Sequence, residues 1–432
     1  MSDKREENPQ TSPQPDSVLR NRNFQWLWTG QTVSAVGDQM SGLALPVLAV
    51  TMLHASEWQV GMMNAAGLSM FLLIGLPAGA WVDRWRKRRV MITADIARML
   101  VVLSVPLVYF FGDLQMWYLI LTAAAMSVAN VFFDVSYQSV LPLMLPKAQM
   151  PKANSALETT KQTASVAGPA VIGFLLTVVK APVLMIVDAF SFLISWVAIS
   201  RINIDETAVP KSQRRALKTE ILEGVRFVAR HPIIGRITAS TSVYNFFGTG
   251  IQTLAPILVL RTMDASPALY GLVFSVGAVA GLIGAVTAAK IGEKLGQGNT
   301  VIWTMALSGV ASFGFPIAAA IGQASAMPFV IGGQALISFC GLVYNITQVS
   351  ARQALCPEQL LGRMNASIRF FVWGVMPISA LASGALATAF GMVPVMLGGA
   401  IGALAATWFV LASPLRGMKN IVEEGKKFEV SI

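Results

Sequence analysis

The sequence is poor in charged residues and in cysteine. Only 12% of its 432 residues are Asp, Glu, Lys or Arg, whereas soluble globular domains carry roughly 25%. Hydrophobic residues make up 54%, and the mean hydropathy is +0.61. This composition excludes a water-soluble globule and a disordered chain. Two cysteines, Cys340 and Cys356, are too few for a disulfide scaffold.

The chain also lacks the motifs of the common hydrolases and ATPases. No G-x-x-x-x-G-K-S/T, G-x-S-x-G or H-E-x-x-H sequence occurs, and the cysteines lack metal-ligand spacing. The only two histidines, His54 and His231, are far apart in sequence. We therefore expect no enzymatic activity, no metal site and no cofactor.

Long apolar stretches, by contrast, recur along almost the whole chain. A hydrocarbon core of about 30 Å takes ~20 helical residues, and twelve stretches of about that length follow one another. Unpaired backbone groups are costly in lipid, and the short alternating segments of a β-barrel are absent, so we predict transmembrane helices. They cover residues 24–53, 58–82, 90–111, 116–138, 155–179, 182–200, 233–260, 268–288, 301–321, 327–348, 368–390 and 393–412.

The basic residues predict the orientation of these spans. With both termini in the cytoplasm, 27 of the 32 Lys and Arg residues fall on the cytoplasmic side, counting Arg236 at the cytoplasmic start of the seventh span, and only Lys180 and Arg261 fall outside. Arg98, Lys161 and Arg369 lie within spans. The positive-inside rule explains this distribution, and with it the net charge of +10. We expect a multi-pass, monomeric protein of the cell membrane, embedded in the lipid bilayer and without a nucleic-acid partner.

A polar stretch between spans six and seven divides the chain in two. An apolar stripe of Ile221, Leu222, Val225 and Val228 predicts an amphipathic helix there, either at the membrane interface or as a solvated linker. The predicted segments are a cytoplasmic tail (1–23), a six-helix bundle (24–200), a cytoplasmic central loop with the amphipathic helix (201–231), a second six-helix bundle (232–413) and a cytoplasmic tail (414–432).

An internal repeat corroborates this division. Three residues of the first half, Pro146, Asn154 and Gly173, recur at a constant offset as Pro357, Asn365 and Gly384. Parallel six-span repeats are a construction of transporters, which bind their substrates at the repeat interface near the middle of the membrane. The repeat therefore predicts a central binding cavity between two bundles.

Several motifs point to a family. The segment Gly79-Ala80-Trp81-Val82-Asp83-Arg84-Trp85-Arg86-Lys87-Arg88-Arg89 resembles the loop signature of the major facilitator superfamily, G-x-x-x-D-R/K-x-G-R/K-R/K, with Arg86 in place of the second glycine. The resemblance implies an all-α fold of twelve transmembrane helices in two pseudo-symmetric six-helix bundles. Other matches resemble the branch of macrolide-type efflux pumps and siderophore exporters: Leu141-Pro142, Ala153-Asn154, Gly168-Pro169 with Gly173, and Glu223-Gly224-Val225-Arg226-Phe227 before His231-Pro232. In drug antiporters a glycine-rich stretch ending in Gly-Pro on span five is associated with export, and Gly168, Pro169 and Gly173 resemble it in part.

Charges within spans are candidates for ion coupling, because they are costly in lipid. Asp38 lies well beyond Phe24, about 21 Å along a helix that crosses ~30 Å, and its neighbours are polar. We predict that it carries a proton; an Asp paired with a neighbouring helix is the alternative. Asp134 and Glu158 are further candidates, although Glu158 and Lys161 are spaced to satisfy each other.

Two further groups of residues complete the predicted site. Asp83, at a helix end, could latch the two bundles, and Arg369, repeat-related to Glu158, could meet the Asp83 loop or snorkel to the interface. The predicted gating residues are Gly79, Asp83, Arg84, Lys87, Arg88 and Arg369. Polar and aromatic side chains could line a cavity for amphipathic molecules, with helix packing as the alternative for each aromatic. These are Gln31, Tyr244, Asn245, Phe247, Asn345 and Trp373.

We therefore predict a secondary transporter, a proton-coupled antiporter that exports an amphipathic drug-like molecule or a secreted metabolite. Its partners would be a small-molecule substrate and protons, because the chain lacks a P-loop for ATP. An uptake carrier of the same architecture is the first alternative. A non-transporting membrane receptor or scaffold is the second.

Overall fold

The computed structural model describes residues 18–82, 84–146, 149–204, 217–357, 360–425 and 427. Apart from two short 3-10 turns, they form the helices α1 (Arg22–Val47), α2 (Glu57–Val82), α3 (Lys87–Phe111), α4 (Met116–Met144), α5 (Met150–Val178), α6 (Ala181–Ser200), α7 (Leu217–Arg230), α8 (Ile234–Ile257), α9 (Pro267–Leu295), α10 (Gln297–Ala311), α11 (Gly314–Ile321), α12 (Met327–Leu355), α13 (Leu361–Phe390), α14 (Met392–Ala405), α15 (Thr407–Leu411) and α16 (Ile421–Gly425). A wider, π-helical turn extends both α1 (Leu48–Met52) and α8 (Leu258–Thr262).

Eleven helical stretches of the described chain are long and apolar enough to cross a membrane. The predicted fifth span corresponds to α5, which has 29 residues but carries Glu158, Lys161 and Gln162 and is more polar. Several helices run past the predicted spans; α4, for example, ends at Met144 rather than Gln138. Hydropathy marks only the apolar part of a helix, whereas its hydrogen bonding continues where polar side chains reach water.

The helices form two bundles, as predicted. In the N bundle (α1 to α6), α1 and α3 pack on α6, and α2 packs on α4. In the C bundle (α8 to α15), α9 packs on α12, and α8 packs on α13 and α14. The repeat extends to whole helices, because α12 begins and ends at the positions equivalent to the ends of α4, and α10 begins at the position equivalent to the start of α3.

The two bundles meet at one end and separate at the other. We call the end with Arg84, Arg201 and Arg363 the basic end, and the end with His54 and Asp264 the far end. At the far end one apolar core contains residues of both bundles, whereas toward the basic end each bundle has a core of its own. The space between the bundles therefore opens toward the basic end.

Two pairs of glycines bring the bundles together at the far end. A Cβ on Gly61 of α2 would lie 2.7 Å from the carbonyl oxygen of Ala380 and 3.0 Å from Gly384, both of α13. Gly271 of α9 packs in the same way against the backbone of Gly173 in α5. Small residues allow such close approach of helix backbones. Gly271 is the repeat equivalent of Gly61, and Gly384 is that of Gly173, so the two contacts are related by the repeat.

The helix of the central loop, α7, packs on the C bundle. Gly224 lies against the backbone of Arg363 and the hydroxyl of Ser367, both in α13, and Arg363 donates to Glu223. Phe227 is buried, as is Val228 of the predicted apolar stripe. The side chains of Ile221 and Leu222 lie outside the described part of the structure. This helix thus attaches the central loop to α13.

Candidate functional site

A cavity of about 770 Å³ lies between the two bundles. Its N-bundle wall carries Asp38 from α1 and Glu158 from α5, and its C-bundle wall carries Gln334 and Ser338 from α12. Gln252 of α8 donates a hydrogen bond to Gln334 Oε1 at 2.9 Å. Gln252 also lines a neighbouring cavity of about 320 Å³. Hydrogen-bonded amides therefore connect the two cavities.

Asp38 is exposed at this cavity, in the middle of α1. Its carboxyl group is within electrostatic range of Arg98, Asp134 and Lys161. The preceding residue, Gly37, leaves no room for a Cβ, because α6 packs directly against it. Asp38 thus faces the cavity on one side and a group of charges inside the N bundle on the other.

This group of charges is centred on Arg98, which is 4% exposed. Arg98 Nη1 lies 3.4 Å from Asp95 Oδ1, and Ser195 donates to Asp95 Oδ2 at 2.7 Å. The guanidinium carbon of Arg98 stacks 4.0 Å from the centre of the Phe133 ring. Arg98 also interacts electrostatically with three other carboxylates of the N bundle. We call this group the Arg98 node, and its acids are Asp38, Asp95, Asp134 and Asp188.

The sequence analysis assigned neither Asp95 nor Asp188 to the site, and of these two acids Asp188 connects α6 to α1. It is fully buried and accepts hydrogen bonds from Ser41 of α1 and, at 3.0 Å, from Ser191. The spacing of Asp188, Ser191 and Ser195 on an otherwise apolar span was the available signal, since residues three to four apart share one helix face. Ser41 lies on α1, the helix that also carries Asp38. The hydrogen bond from Ser41 to Asp188 therefore connects α6 to the helix of the residue predicted to carry the proton.

The other two proton candidates, Asp134 and Glu158, have exposed side chains on the N bundle. The suggested pairing of Glu158 with Lys161 is wrong: no ion pair joins these two described residues, and Glu158 Oε1 instead accepts from Gln162 Nε2 at 2.6 Å. Lys161 interacts electrostatically with Asp38 and Asp134. Lys161 is therefore the second cation near the acids of the node.

The predicted substrate residues fall into three places. Tyr244 and Asn245 line the 320 Å³ cavity, and Asn245 Nδ2 donates to the Val372 carbonyl at 3.0 Å. Asn345 and Trp373 line a separate cavity of about 470 Å³ in the C bundle, which Tyr244 and Asn245 also reach. Gln31 is half-buried in α1.

Phe247 lies elsewhere. Its ring fills the space beside Gly402 of α14, where no Cβ would fit. It therefore packs α8 against α14 and does not line either of the cavities that contain Tyr244. The sequence could not distinguish it from its neighbours, because the run Tyr244-Asn245-Phe246-Phe247 covers a full helical turn.

The predicted gating residues lie at the basic end. Arg88 donates to the carbonyl oxygens of Ile199, at 3.2 Å, and Ser200, so it caps the C-terminus of α6. Arg84 is exposed and Lys87 is half-buried. Arg369 is exposed, with its guanidinium carbon 5.5 Å from the centre of the Trp373 ring. Gly79 lies within α2, and Asp83 lies outside the described residues, so the latch stays a prediction.

The residues that resemble an export motif contact two different helices. Gly168 lies against the side chain of Gln39 in α1, where a Cβ would come within 2.6 Å. Pro169 and Gly173 face Gly271 across the bundle boundary. The same short stretch of α5 therefore packs inside the N bundle and closes the far end. Within the described residues, no group of three or more His, Cys, Asp or Glu could hold a metal ion.

Comparison with known proteins agrees with this geometry. A family model described as a transmembrane secretion effector of the major facilitator type matches residues 14–429. The multidrug efflux pump Tap of Mycolicibacterium fortuitum is 25% identical over 83% of this chain and 88% of its own length. The staphyloferrin A transporter of Staphylococcus aureus is 21% identical (65% and 70%), and macrolide efflux protein A of Streptococcus pyogenes is 20% identical (56% and 60%).

A solved structure shares the fold. A bacterial homologue of the iron transporter ferroportin, in its inward-facing state, superposes with a TM-score of 0.72 at 17% identity, over 92% of this chain and 99% of that protein.

Proposed function

Because the chain belongs to the transmembrane secretion effector family of the major facilitator superfamily, we propose that it exports amphipathic drug-like molecules or a secreted metabolite in exchange for protons. One observation carries the proposal: a cavity between the bundles exposes Asp38 and Glu158 opposite a largely apolar wall that carries Gln334 and Ser338. Export is an activity named for several relatives, including the multidrug efflux pump Tap. The exchange for protons is our inference from the acids.

We infer that the basic end faces the cytoplasm, with both termini on that side. The support is the distribution of basic residues: this orientation places 27 of them on the cytoplasmic side and two on the external side, as the positive-inside rule predicts. In this orientation the described conformation is open inward, because the bundles share a core only at the far end. A substrate would then enter the cavity from the cytoplasm or from the inner leaflet.

Asp38 is the residue that we propose to carry the proton. A carboxylate can bind either a proton or a donor group of the substrate, but not both at once. This competition couples the movement of protons in one direction to the movement of substrate in the other. Arg98 stabilises the charged form of Asp38, while Asp134 opposes it. A change in the distance between Asp38 and the rest of the node during switching would therefore release or bind a proton. Asp134 and Glu158 would serve as the route between Asp38 and water.

The remaining residues have proposed roles in binding and switching. Gln31, Tyr244, Asn245, Asn345 and Trp373 would contact the substrate through amide and aromatic groups. Gly168, Pro169 and Gly173 would let α5 move against α1 and α9. The loop with Gly79, Asp83, Arg84, Lys87 and Arg88 would close on Arg369 when the basic end shuts.

The direction of transport can be tested in cells. Cells that express the protein should accumulate less of a toxic amphipathic compound, such as ethidium, than cells that do not express it. A panel of such compounds would identify the substrates. Higher accumulation would indicate an uptake carrier, and unchanged accumulation across the panel would indicate a receptor or scaffold.

Proton coupling needs purified protein in liposomes with an imposed pH gradient. We expect Asp38→Asn to lose uphill transport of a compound from that panel while downhill exchange survives, because asparagine imitates the neutral acid permanently. Asp113→Asn is the matched control, since Asp113 is exposed at the far end. Uphill transport by Asp38→Asn at the parental rate would remove Asp38 from the mechanism and move the proton role to Asp134 or Glu158.

A further inference from the structure

Two arginines share the cavity of about 470 Å³ within the C bundle. Arg352 belongs to α12 and is half-buried; its Nε is buried and has no hydrogen-bond partner. Arg369 belongs to α13 and stacks beside Trp373. The two guanidinium groups are close enough to repel each other. Arg369 is exposed, but Arg352 is half-buried, so a counter-charge between the two groups would offset this repulsion.

The described part of the protein does not supply that counter-charge. Neither arginine forms an ion pair there; the ion pairs that it contains are Arg98 with Asp95 and Arg363 with Glu223. The polar side chains that line the cavity are all neutral apart from the two arginines. They are Thr241, Tyr244, Ser308, Tyr344, Asn345, Gln348, Gln353 and Asn365.

A buried amide also points into this cavity without a partner. Gln348 is 4% exposed, and its Oε1 makes no hydrogen bond. Oε1 is an acceptor, and a half-turn of the amide presents the donor Nε2–H at the same place. Gln348 and Arg352 are one helical turn apart and therefore lie on one face of α12. With the amide turned in this way, an oxyanion between them would accept hydrogen bonds from both groups.

The repeat supplies an independent argument. The repeat equivalent of Arg369 is Glu158, an acid of the N-bundle wall, and that of Asn345 is Asp134, another acid of the N bundle. At the first pair the two bundles thus carry opposite charge, and at the second the C bundle is neutral where the N bundle is acidic. A substrate group that binds to the C-bundle wall should therefore be an anion, while protons and cationic groups bind to the N-bundle wall.

We propose that this cavity, the C-bundle anion site, binds the carboxylate of an amphipathic substrate. Guanidinium groups bind carboxylates through paired hydrogen bonds, and Trp373, Val372 and Ile368 provide an apolar surface beside them. The proposal rests on the proposed function, because it defines the substrate class of the same transporter. The phosphate of a lipid head group shares this chemistry and must be distinguished by experiment.

The test is an equilibrium binding measurement with two fluorescent probes that differ only in charge. Dansyl-phenylalanine carries a carboxylate, and dansyl-phenylalanine amide is its neutral counterpart. The full-length protein is placed in nanodiscs of phosphatidylcholine, without any gradient. We expect the acid to bind at least tenfold more tightly than the amide. Equal affinities, or no binding of the acid, would overturn the proposal.

Variants assign the effect to the two arginines. Arg352→Gln and Arg369→Gln should each weaken binding of the acid about tenfold and leave binding of the amide unchanged, which also reports that the cavity is intact. Arg352→Lys and Arg369→Lys should recover part of the loss, because lysine keeps the charge but not the fork. Arg416→Gln, at an exposed position of the same end, should bind both probes as the parent does. Equal weakening of acid and amide in both glutamine variants would overturn the proposal.

A last arm separates a soluble carboxylate from a lipid. Phosphatidylglycerol added to the nanodiscs should leave the affinity for the acid unchanged. Displacement of the probe by this lipid, lost in Arg369→Gln, would assign the site to a lipid head group and overturn the substrate assignment. Because no transport is measured, failure of proton-coupled export would leave these binding results unaffected, and the two proposals can fail separately.

Discussion

The first and last helices of the two bundles pack in opposite ways, although the bundles are related by a nearly constant offset in sequence. In the N bundle, Gly37 of α1 leaves room for the side chains of Asp188 and Ser191 of α6. Ser41, one turn further along α1, donates a hydrogen bond to Asp188. The small residue is on the first helix, and the contact is polar.

In the C bundle the large and small residues are exchanged. Phe247 of α8, the repeat equivalent of Gly37, fills the space beside Gly402 of α14. Ile251, the equivalent of Ser41, packs against Gly399. The two glycines, Gly399 and Gly402, are the equivalents of the Asp and Ser that contact Gly37. The same position in the fold is therefore an apolar contact with the small residues on the last helix.

The difference suggests that the two bundles have different roles, with ion coupling confined to the N bundle. Buried charges are tolerated when they are paired with one another, so an ion-coupling group is best concentrated in one place. The N bundle holds the Arg98 node, while the positions equivalent to Asp95 and Arg98 in the C bundle are Met305 and Ser308. Within the described residues, the C bundle is left with an interior without such a group of charges and, on its cavity wall, two arginines.

The largest expected effect breaks the node itself. Arg98→Gln leaves Asp95 buried without its cation, and breaking a buried ion pair from one side costs about 3–5 kcal/mol. We expect a strong fall in the melting temperature of the purified protein, part of which the double variant Arg98→Gln/Asp95→Asn restores. Ser308→Ala, at the equivalent C-bundle position, should change little. A similar loss in Ser308→Ala would contradict the asymmetry.

The second prediction breaks the apolar counterpart. Phe247→Ala should destabilise the protein by about 2–3 kcal/mol, below the usual cost of a fully buried Phe because Phe247 is half-buried. Gly402→Ala should also destabilise it, because no Cβ fits beside the ring. The combination Gly402→Ala/Phe247→Leu should lose less than the sum of the single variants. Phe390→Ala, at an exposed position, is the control; additive losses would argue against direct packing of Phe247 on Gly402.

The existence and order of the helices could be predicted from the sequence, since apolar length is a property of each segment alone. Positions where two helices meet could not. Asp188 was left out of the site and Phe247 was assigned to the substrate, because the contact depends on which face of α1 or α8 turns toward the last helix. Gly37 and Gly402 determine those faces. From the sequence alone, a glycine in an apolar span does not show which helix packs against it.

The repeat, by contrast, was a reliable guide to the arrangement of the helices. The predicted relation of Arg369 to Glu158 corresponds to two helices, α13 and α5, that start at equivalent positions of the two halves. The roles of the site residues stay predictions, as does the contact of Asp83 with Arg369. An offset between two halves carries spatial information that hydropathy lacks, because equivalent residues occupy equivalent places in a symmetric fold.

The third prediction sharpens the comparison where the halves are alike. Gly61→Ala and Gly271→Ala should each disfavour the closed far end, since the added Cβ meets backbone of the opposite bundle. A shift of about tenfold in the ratio of conformations corresponds to ~1.4 kcal/mol. Spin labels at residues 201 and 416 should show a shorter distance in both variants. Gly67→Ala, which meets no neighbouring atom, should match the parent; a shift in only one of the two variants would refute the equivalence.

The fourth and smallest effect concerns the caps of the two first helices. Asn21 Oδ1 accepts hydrogen bonds from the backbone N–H groups of Asn23, at 3.0 Å, and Phe24, at 3.1 Å. His231 is the repeat equivalent of Asn21, and its Nδ1 accepts in the same way from Ile233, at 3.2 Å, and Ile234, at 3.3 Å. Both side chains satisfy free N–H groups at a helix start. Only the C-bundle cap can gain a proton near neutral pH.

Burial lowers the pKa of His231 below its ordinary value of about 6.5. Between the folded and unfolded pKa values the unfolded chain binds more protons, so stability increases with pH and is lost as the pH falls below about 6.5. Between pH 7.5 and 5.5 we expect a loss of up to about 1 kcal/mol, because the protonated ring can no longer accept from Ile233 and Ile234. His231→Asn, which installs the cap of the N bundle, should melt with a weaker pH dependence, whereas His54→Asn at the exposed far end should melt as the parent does. If the parent and His231→Asn lose the same stability over this range, the pH dependence arises elsewhere. The acids of the Arg98 node would then be the next residues to replace, because they are the other group of titratable side chains that distinguishes the two bundles.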